Sequence, residues 1–266
     1  MNHLNMIRQK NPLIYNITNQ VVKNFTANGL LALGASPAMA NAPEEAEEMV
    51  RQADCLVLNI GTVSKNQVEA MLLAGREANK NNIPVILDPV AVGATTFRTN
   101  AVKTILKHVS LTAIRGNAGE IATIFYEQTN VKGVDSLVEH LKADVVKNVA
   151  KTYQTNVIAT GKKDLLSNGR KVFKCINQAS MLPYLTGSGC LLSAVIGAFI
   201  AVSNDPFIAI KEAVIGYSIA GDLAQRKATG PGTFLPAFID ALYHLEHDDI
   251  LKYANIKEIK GETDDI

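Results

Sequence analysis

Between residues 55 and 161 a short apolar run stops four times at a small or charged turn, and this repetition limits the fold more than any other feature of the chain. Cys55–Ile60 stops at Gly61-Thr62, Pro84–Leu87 at Asp88-Pro89, Leu111–Ile114 at Arg115-Gly116, and Asn156–Ala159 at Thr160-Gly161. Helical patterns follow the first three: Val63 to Asn79, with Val68, Met71, Leu72 and Gly75 at helical spacing, then Phe97 to His108, then a stretch from Ala118. Repeated strand–loop–helix units predict an α/β fold with a mostly parallel central sheet and helices on both faces. Asp164–Ser167 and Lys171–Ile176, joined by Asn168-Gly169, predict a β-hairpin. After residue 187 the chain reads as helical, over Cys190–Val202, Phe207–Lys227 and Leu235–Leu245.

No linker, repeat or low-complexity tract divides the 266 residues, so one domain over 1–266 is expected, with a charged tail from Lys257 to Ile266 that frays. Charged residues make up only 19%, against about 25% in an average globular chain, which suits a large core or a buried subunit interface. Lys and Arg number 26 against 25 Asp and Glu, so no broad basic field is present for nucleic acid or an anionic membrane. The longest apolar run, Cys190–Val202, has thirteen residues, short of the ~20 that a membrane span needs. Met1–Asn11 has no apolar stretch of the signal-peptide kind. The three cysteines form no Cys-x-x-Cys pair. A cytoplasmic protein acting on a small molecule is expected.

In open α/β sheets ligands bind beyond the carboxyl ends of the strands. Those ends here hold Asp88, Arg115 with Gly116-Asn117, Thr160-Gly161 and, before a late helix, Thr186-Gly187-Ser188-Gly189-Cys190. Glycines admit a ligand close to the backbone, and the first N–H groups of a helix attract an anion. The turn is neither a Walker loop, since no Gly-Lys-Ser/Thr follows, nor a dinucleotide fingerprint, since Leu192 replaces the third glycine. Two roles stay open for several of these residues. Asp88 suits a turn or a metal, and Asn117 with Glu120 has the spacing of a capping box. Arg115 suits a phosphate clamp. The His244/His247 pair lies in a charged stretch and reads as a solvated face rather than a metal site.

Taken together, Asn16-Ile17-Thr18-Asn19, Ala35–Met39, Leu87–Ala94, Ile114–Ile121, Thr186–Cys190 and Gly230-Pro231-Gly232-Thr233-Phe234 resemble the hydroxyethylthiazole kinases of the ribokinase-like superfamily. The resemblance runs from about residue 11 to residue 245. It implies a three-layer α/β/α fold and ATP-dependent phosphorylation of a thiazole alcohol with Mg²⁺. It also implies a homotrimer with active sites between subunits. By the family pattern Met39 contacts the thiazole through its backbone amide, with Asn19 beside it and Gly187 at the hydroxyethyl end. Arg115 and Thr160 hold ATP, Asp88 and Glu120 organise the metal, and Gly187, Ser188 and Gly189 form an anion hole. Cys190 stands where the wider superfamily carries Asp, and either supplies the base or positions the hydroxyl. The base is the expectation adopted here. A thiol near its usual pKa of about 8.5 needs help to ionise at pH 7.

Overall fold

The computed structural model describes residues 2–129, 141–176 and 179–259. Among them nine strands form one sheet: β1 (Leu13–Ile17), β2 (Ser36–Ala38), β3 (Cys55–Asn59), β4 (Val85–Asp88), β5 (Ala113–Asn117), β6 (Asn156–Thr160), β7 (Asp164–Ser167), β8 (Val172–Cys175) and β9 (Ile256–Ile259). The helices are α1 (His3–Lys10), α2 (Lys23–Leu33), α3 (Ala46–Arg51), α4 (Lys65–Lys80), α5 (Thr96–His108), α6 (Ala118–Thr129), α7 (Ala143–Thr152), α8 (Ser188–Ala201), α9 (Pro206–Gln225), α10 (Pro231–His244) and α11 (His247–Tyr253). The strand order is β2-β1-β3-β4-β5-β6-β7-β8-β9. Pairing is parallel from β2 to β6 and antiparallel from β6 to β9.

The expected layering is borne out. Cys55 and Val57 point into one apolar cluster with α1, α2 and α8 to α11, while Leu56 and Leu58 point into a second with α3 to α7. Burial on both faces is why β3 reads as an unbroken apolar run. Helix α8 is buried on all sides from Leu191 to Ile200, because it packs on β1, β3 and β4 and is covered by α2 and α9. That position accounts for the thirteen-residue apolar run of the sequence, and no helix of the described residues is long and apolar enough to cross a membrane.

Several boundaries differ from the sequence reading. Arg115, Gly116 and Asn117 belong to β5 rather than to the turn after it, because they pair with Ile158, Ala159 and Thr160 of β6. On α4 Met71 and Gly75 are buried as expected, but Val68 and Leu72 are only half-buried, and Ala70, Ala74 and Ala78 complete the buried face. The hairpin turn spans four residues, since Ser167 pairs with Val172. Its Asn168 Oδ1 accepts from the amides of Arg170 and Lys171, both at 3.0 Å. Lys257 to Ile259 do not fray but add β9 to the edge of β8. Residues 260–266 lie outside the described residues. Strands β1 and β2 were not read as strands from the sequence. They carry the chain to Thr18, Asn19 and Met39 at the carboxyl ends of the parallel strands.

Candidate active site

Strands β3 to β6 deliver Asn59, Asp88, Arg115 and Thr160 to one rim of the sheet, and α8 begins beside them. Two glycines make this possible. Gly187 precedes α8 in the left-handed region, at φ 85°, and a Cβ there would lie 2.3 Å from Val22 Cγ1. A Cβ on Gly189 would lie 2.3 Å from Arg115 Nη1, so the guanidinium rests directly on the first turn of α8. The helix leaves its first amides without helical partners. Ser188 N–H, one of the expected anion-hole amides, donates to Leu185 O at 3.2 Å. The amides of Gly189 and Cys190, in the same first turn, have no acceptor within the helix. Tyr217 Oη donates to Ser188 O at 2.6 Å and pins the same turn.

Asp88 closes β4 and is fully buried. Its Oδ2 accepts from Asn59 Nδ2 and from Ser193 Oγ, each at 2.8 Å, and Arg115 Nη1 stands 3.8 Å away. Its Oδ1 has no partner among the described residues, and neither has Arg115 Nε. Burial pushes the carboxyl up to about 6 despite the opposing pull of Arg115. A buried oxygen left open beside a guanidinium is costly, and it suits a cation at this end of the rim. Arg115 Nη2 donates to Thr160 Oγ1 at 2.5 Å.

Glu120 resolves the two roles left open by its spacing. Its Oε2 accepts from Asn117 N at 2.7 Å while Asn117 Oδ1 accepts from Glu120 N at 2.9 Å, which is a reciprocal cap on α6. Its Oε1 accepts from Ala91 N at 2.8 Å and so ties the turn after β4 to the same cap. Glu120 therefore shapes the rim beside Asp88, with both carboxylate oxygens accepting from backbone amides. Arg98 of α5, unremarked in the sequence, also fastens this turn: its guanidinium donates to Ile60 O at 2.6 Å, Val90 O at 2.9 Å and Gly61 O.

Cys190 is half-buried, and Asn19 Nδ2 donates to its Sγ at 3.6 Å. Burial first, and the charge of Asp88 second, push the thiol up to about 11. That environment opposes the ionisation that a base at this position needs. Met39 is half-buried just beyond β2. The histidines discarded as ligands fall on different helices, His244 at the end of α10 and His247 at the start of α11.

From Arg115, Thr160 and Gly189 a cavity of about 640 Å³ opens toward Leu182, Pro183 and Tyr217. Its lining mixes polar side chains, among them Asn117 and Lys162, with the apolar Ala179 and Leu192. Asp164, which accepts from Gly161 N at 3.1 Å, lines it, and burial pushes its carboxyl up to about 6. Asn59, Ser193, Asp164 and Tyr217 were not singled out from the sequence.

The model of the Hydroxyethylthiazole kinase family matches residues 4–248. Hydroxyethylthiazole kinase 2 of Oceanobacillus iheyensis is 49% identical over 253 residues, 95% of this chain and 97% of that protein. Hydroxyethylthiazole kinase of Listeria monocytogenes is 50% identical over 244 residues, 90% of each. Among solved structures, the hydroxyethylthiazole kinase protein of Pyrococcus horikoshii superposes with a TM-score of 0.89 at 39% identity, covering 97% of this chain and 98% of that one. A pyridoxal kinase of Staphylococcus aureus solved with ADP gives a TM-score of 0.65 at 14% identity, covering 93% and 99%. That second likeness is one of fold, the ribokinase-like three-layer α/β/α arrangement.

Proposed function

The chain belongs to the hydroxyethylthiazole kinase family, and from that premise we propose that it transfers the γ-phosphoryl group of ATP to the primary hydroxyl of 4-methyl-5-(2-hydroxyethyl)thiazole. The products are the thiazole phosphate, ADP and a proton, and the reaction serves thiamine biosynthesis. The observation that carries the reading is the start of α8. Arg115 lies on Gly189 there, with the large cavity on one side and the Asn19–Cys190 pair on the other.

Phosphoryl transfer asks the protein for positioning and charge neutralisation more than for covalent work. Arg115 and Thr160 hold the phosphates from the cavity side. The amides of Gly189 and Cys190 face the group in flight, where developing charge is best stabilised by fixed donors. Gly187 touches the hydroxyethyl end, and Met39 and Asn19 hold the ring. Cys190 and Asn19 orient the hydroxyl, and Cys190, as the catalytic residue, touches it as a neutral thiol.

A divalent ion fits the residues present. Asp88 Oδ1 is buried and open, and Mg²⁺ typically binds through one or two carboxylates, several waters and the substrate phosphates. Asp88 would hold it directly and Glu120 through water. When bound it neutralises charge on the phosphates. Among the described residues no cluster of three or more His, Cys, Asp or Glu side chains forms a self-sufficient metal site, which agrees with an ion held partly by the nucleotide.

Residues 1–266 are taken as one kinase domain, since every strand described joins one sheet. A homotrimer with sites between subunits is supported by Val21 and Leu31 on and just before α2, and Leu235 and Tyr243 on the neighbouring α10. All four are large and exposed, and Val21 lies two residues after Asn19. The cytoplasm is the proposed compartment, in keeping with an odd number of cysteines and no Cys-x-x-Cys pair. The test is incubation with ATP, Mg²⁺ and the thiazole alcohol, followed by mass analysis. The phosphate ester is expected. No ester, or faster phosphorylation of pyridoxal or a pyrimidine alcohol, overturns the reading.

A further inference from the structure

Asn59 ends β3, is 1% exposed, and stands between the two halves of the site. Its amide can face only one way. Gly61 N–H, a donor only, reaches Asn59 Oδ1 at 2.9 Å, and Asn19 Nδ2 reaches the same oxygen at 3.0 Å. Oδ1 is therefore turned to the two donors, and Nδ2 to Asp88 Oδ2 at 2.8 Å. Asn19 Nδ2 also donates to Cys190 Sγ. One directed chain thus joins Asp88 through Asn59 and Asn19 to Cys190. The packing at Gly61 is a second, separate sign. A Cβ there would lie 2.7 Å from Asn19 Nδ2 and 2.8 Å from its Cβ and Cγ, so the glycine leaves a seat shaped to the Asn19 side chain.

We infer that Asn59, together with the Gly61 seat, is a positioning residue that registers the acceptor side of the site, Asn19 and Cys190, against the carboxylate of Asp88. The inference rests on the kinase reading and adds to it a residue that acts through others and need not touch substrate. Asn59 is suited to the task because an amide donates at one end and accepts at the other. No other neutral side chain of its length does both in a fixed plane.

Steady-state kinetics with ATP, Mg²⁺ and the thiazole alcohol on Asn59→Asp, Asn19→Ala and the double variant provide the test. The aspartate keeps an acceptor for Gly61 and Asn19 but turns oxygen toward Asp88. The expected result is a fall in kcat of about tenfold or more, the scale of loss that small misplacements produce. KM for ATP should stay within about threefold, because Arg115 and Thr160 are untouched. In the double variant the two losses should not multiply, since both run through one chain. Unchanged kcat in Asn59→Asp, or full multiplication in the double variant, overturns the inference. Should Asn59→Asp lower the thermal midpoint by more than about 8 °C, Gly61→Ala decides instead. It must lower kcat at unchanged KM for ATP and add no loss to Asn19→Ala; failure of either refutes the assignment. No ester from the unaltered protein removes the kinase reading and this inference with it. Ester from the unaltered protein with undiminished turnover in the variants removes this inference alone.

Discussion

The two rims of the parallel sheet are both lined with short polar side chains, yet they use them differently. At the amino-terminal rim, the Ser36–Asn11 side-chain pair apart, the bonds end mainly on backbone. Asp54 Oδ2 accepts from Leu13 N at 2.7 Å, Asn79 bonds both the carbonyl and the amide of Ser110, and Asn156 Nδ2 donates to Thr112 O at 2.8 Å. At the carboxyl rim Asn59, Ser193, Arg115, Thr160 and Asn19 bond other side chains. Charged groups there are also left with spare capacity, at Asp88 Oδ1 and Arg115 Nε. Thr155 Oγ1 is unpaired near the other rim, but a neutral hydroxyl costs far less to leave open than a charge. Polar residues satisfied by backbone shape turns. Polar residues that hold one another and remain incomplete are arranged for something that arrives later.

The largest effect should come from one substitution made on each rim. Asp88→Asn is expected to lower turnover about 10²–10³-fold, the range seen when a preorganised electrostatic group is removed from a reacting centre. Asp54→Asn on the opposite rim should leave turnover within about twofold, since surface changes away from such sites are nearly neutral. Comparable losses from the two would break the distinction between the rims. Next in size, Arg115→Ala should raise KM for ATP roughly ten- to a hundredfold, the equivalent of charge-assisted hydrogen bonds of about 1.5–3 kcal/mol. The thiazole alcohol should be affected much less, because the guanidinium lies between Thr160 and Gly189 on the cavity side. Equal weakening of both substrates would remove Arg115 from the phosphate clamp.

The same contrast has a consequence for stability. Asp88 ionises near 6 in the fold and near 3.9 in an unfolded chain. The folded state therefore holds the proton more tightly. Burying the ionised carboxylate destabilises the free protein, by ~3 kcal/mol at most. That penalty is present in full above about pH 6 and fades as pH falls toward 4. Without nucleotide or metal, Asp88→Asn should melt at a higher temperature than the parent at pH 7.5, with the gap closing by pH 4.5. A variant less stable than the parent at pH 7.5 would mean that Arg115, Asn59 and Ser193 already compensate the charge.

What could be read in the chain follows from where the partners lie. Strands β3, β4 and β6 are visible because both of their faces are buried by helices, which writes an apolar run into consecutive residues. Strand β9 is not, because Ile256-Lys257-Glu258-Ile259 becomes a strand only by docking on β8, some eighty residues earlier in sequence. The glycines before α8 and the charges at strand ends stand out locally, so most of the rim was legible. Asn59 and Ser193 were not, because they acquire meaning only from Asp88, 29 and 105 residues away. Ionisation state was hidden for the same reason. Cys190 opens a helix, which favours a thiolate, and nothing local announces the burial and the Asp88 charge that oppose it.

Cys190 therefore gives the smallest effect expected and the sharpest test of which members of the carboxyl rim carry charge. If the thiol is neutral and serves to orient the hydroxyl, Cys190→Ser replaces one neutral donor and acceptor by another of similar shape. Turnover should then fall by less than about tenfold. If it supplies the base, serine is far weaker and the loss should reach the 10²–10⁴-fold typical of general-base help. Alkylation by iodoacetamide reads the ionisation without turnover. Cys55 and Cys175 are fully buried, so in the folded protein the modification should fall on Cys190. Since the thiol is held up to about 11, its rate should be low at pH 7.5 and still rising above pH 10. A rate that levels off near pH 8, together with a severe loss in Cys190→Ser, would show a thiolate at working pH and return the base to α8. A slow thiol with a mild serine variant would leave Asp88 as the anionic group of this rim, and positioning as the whole contribution of Cys190.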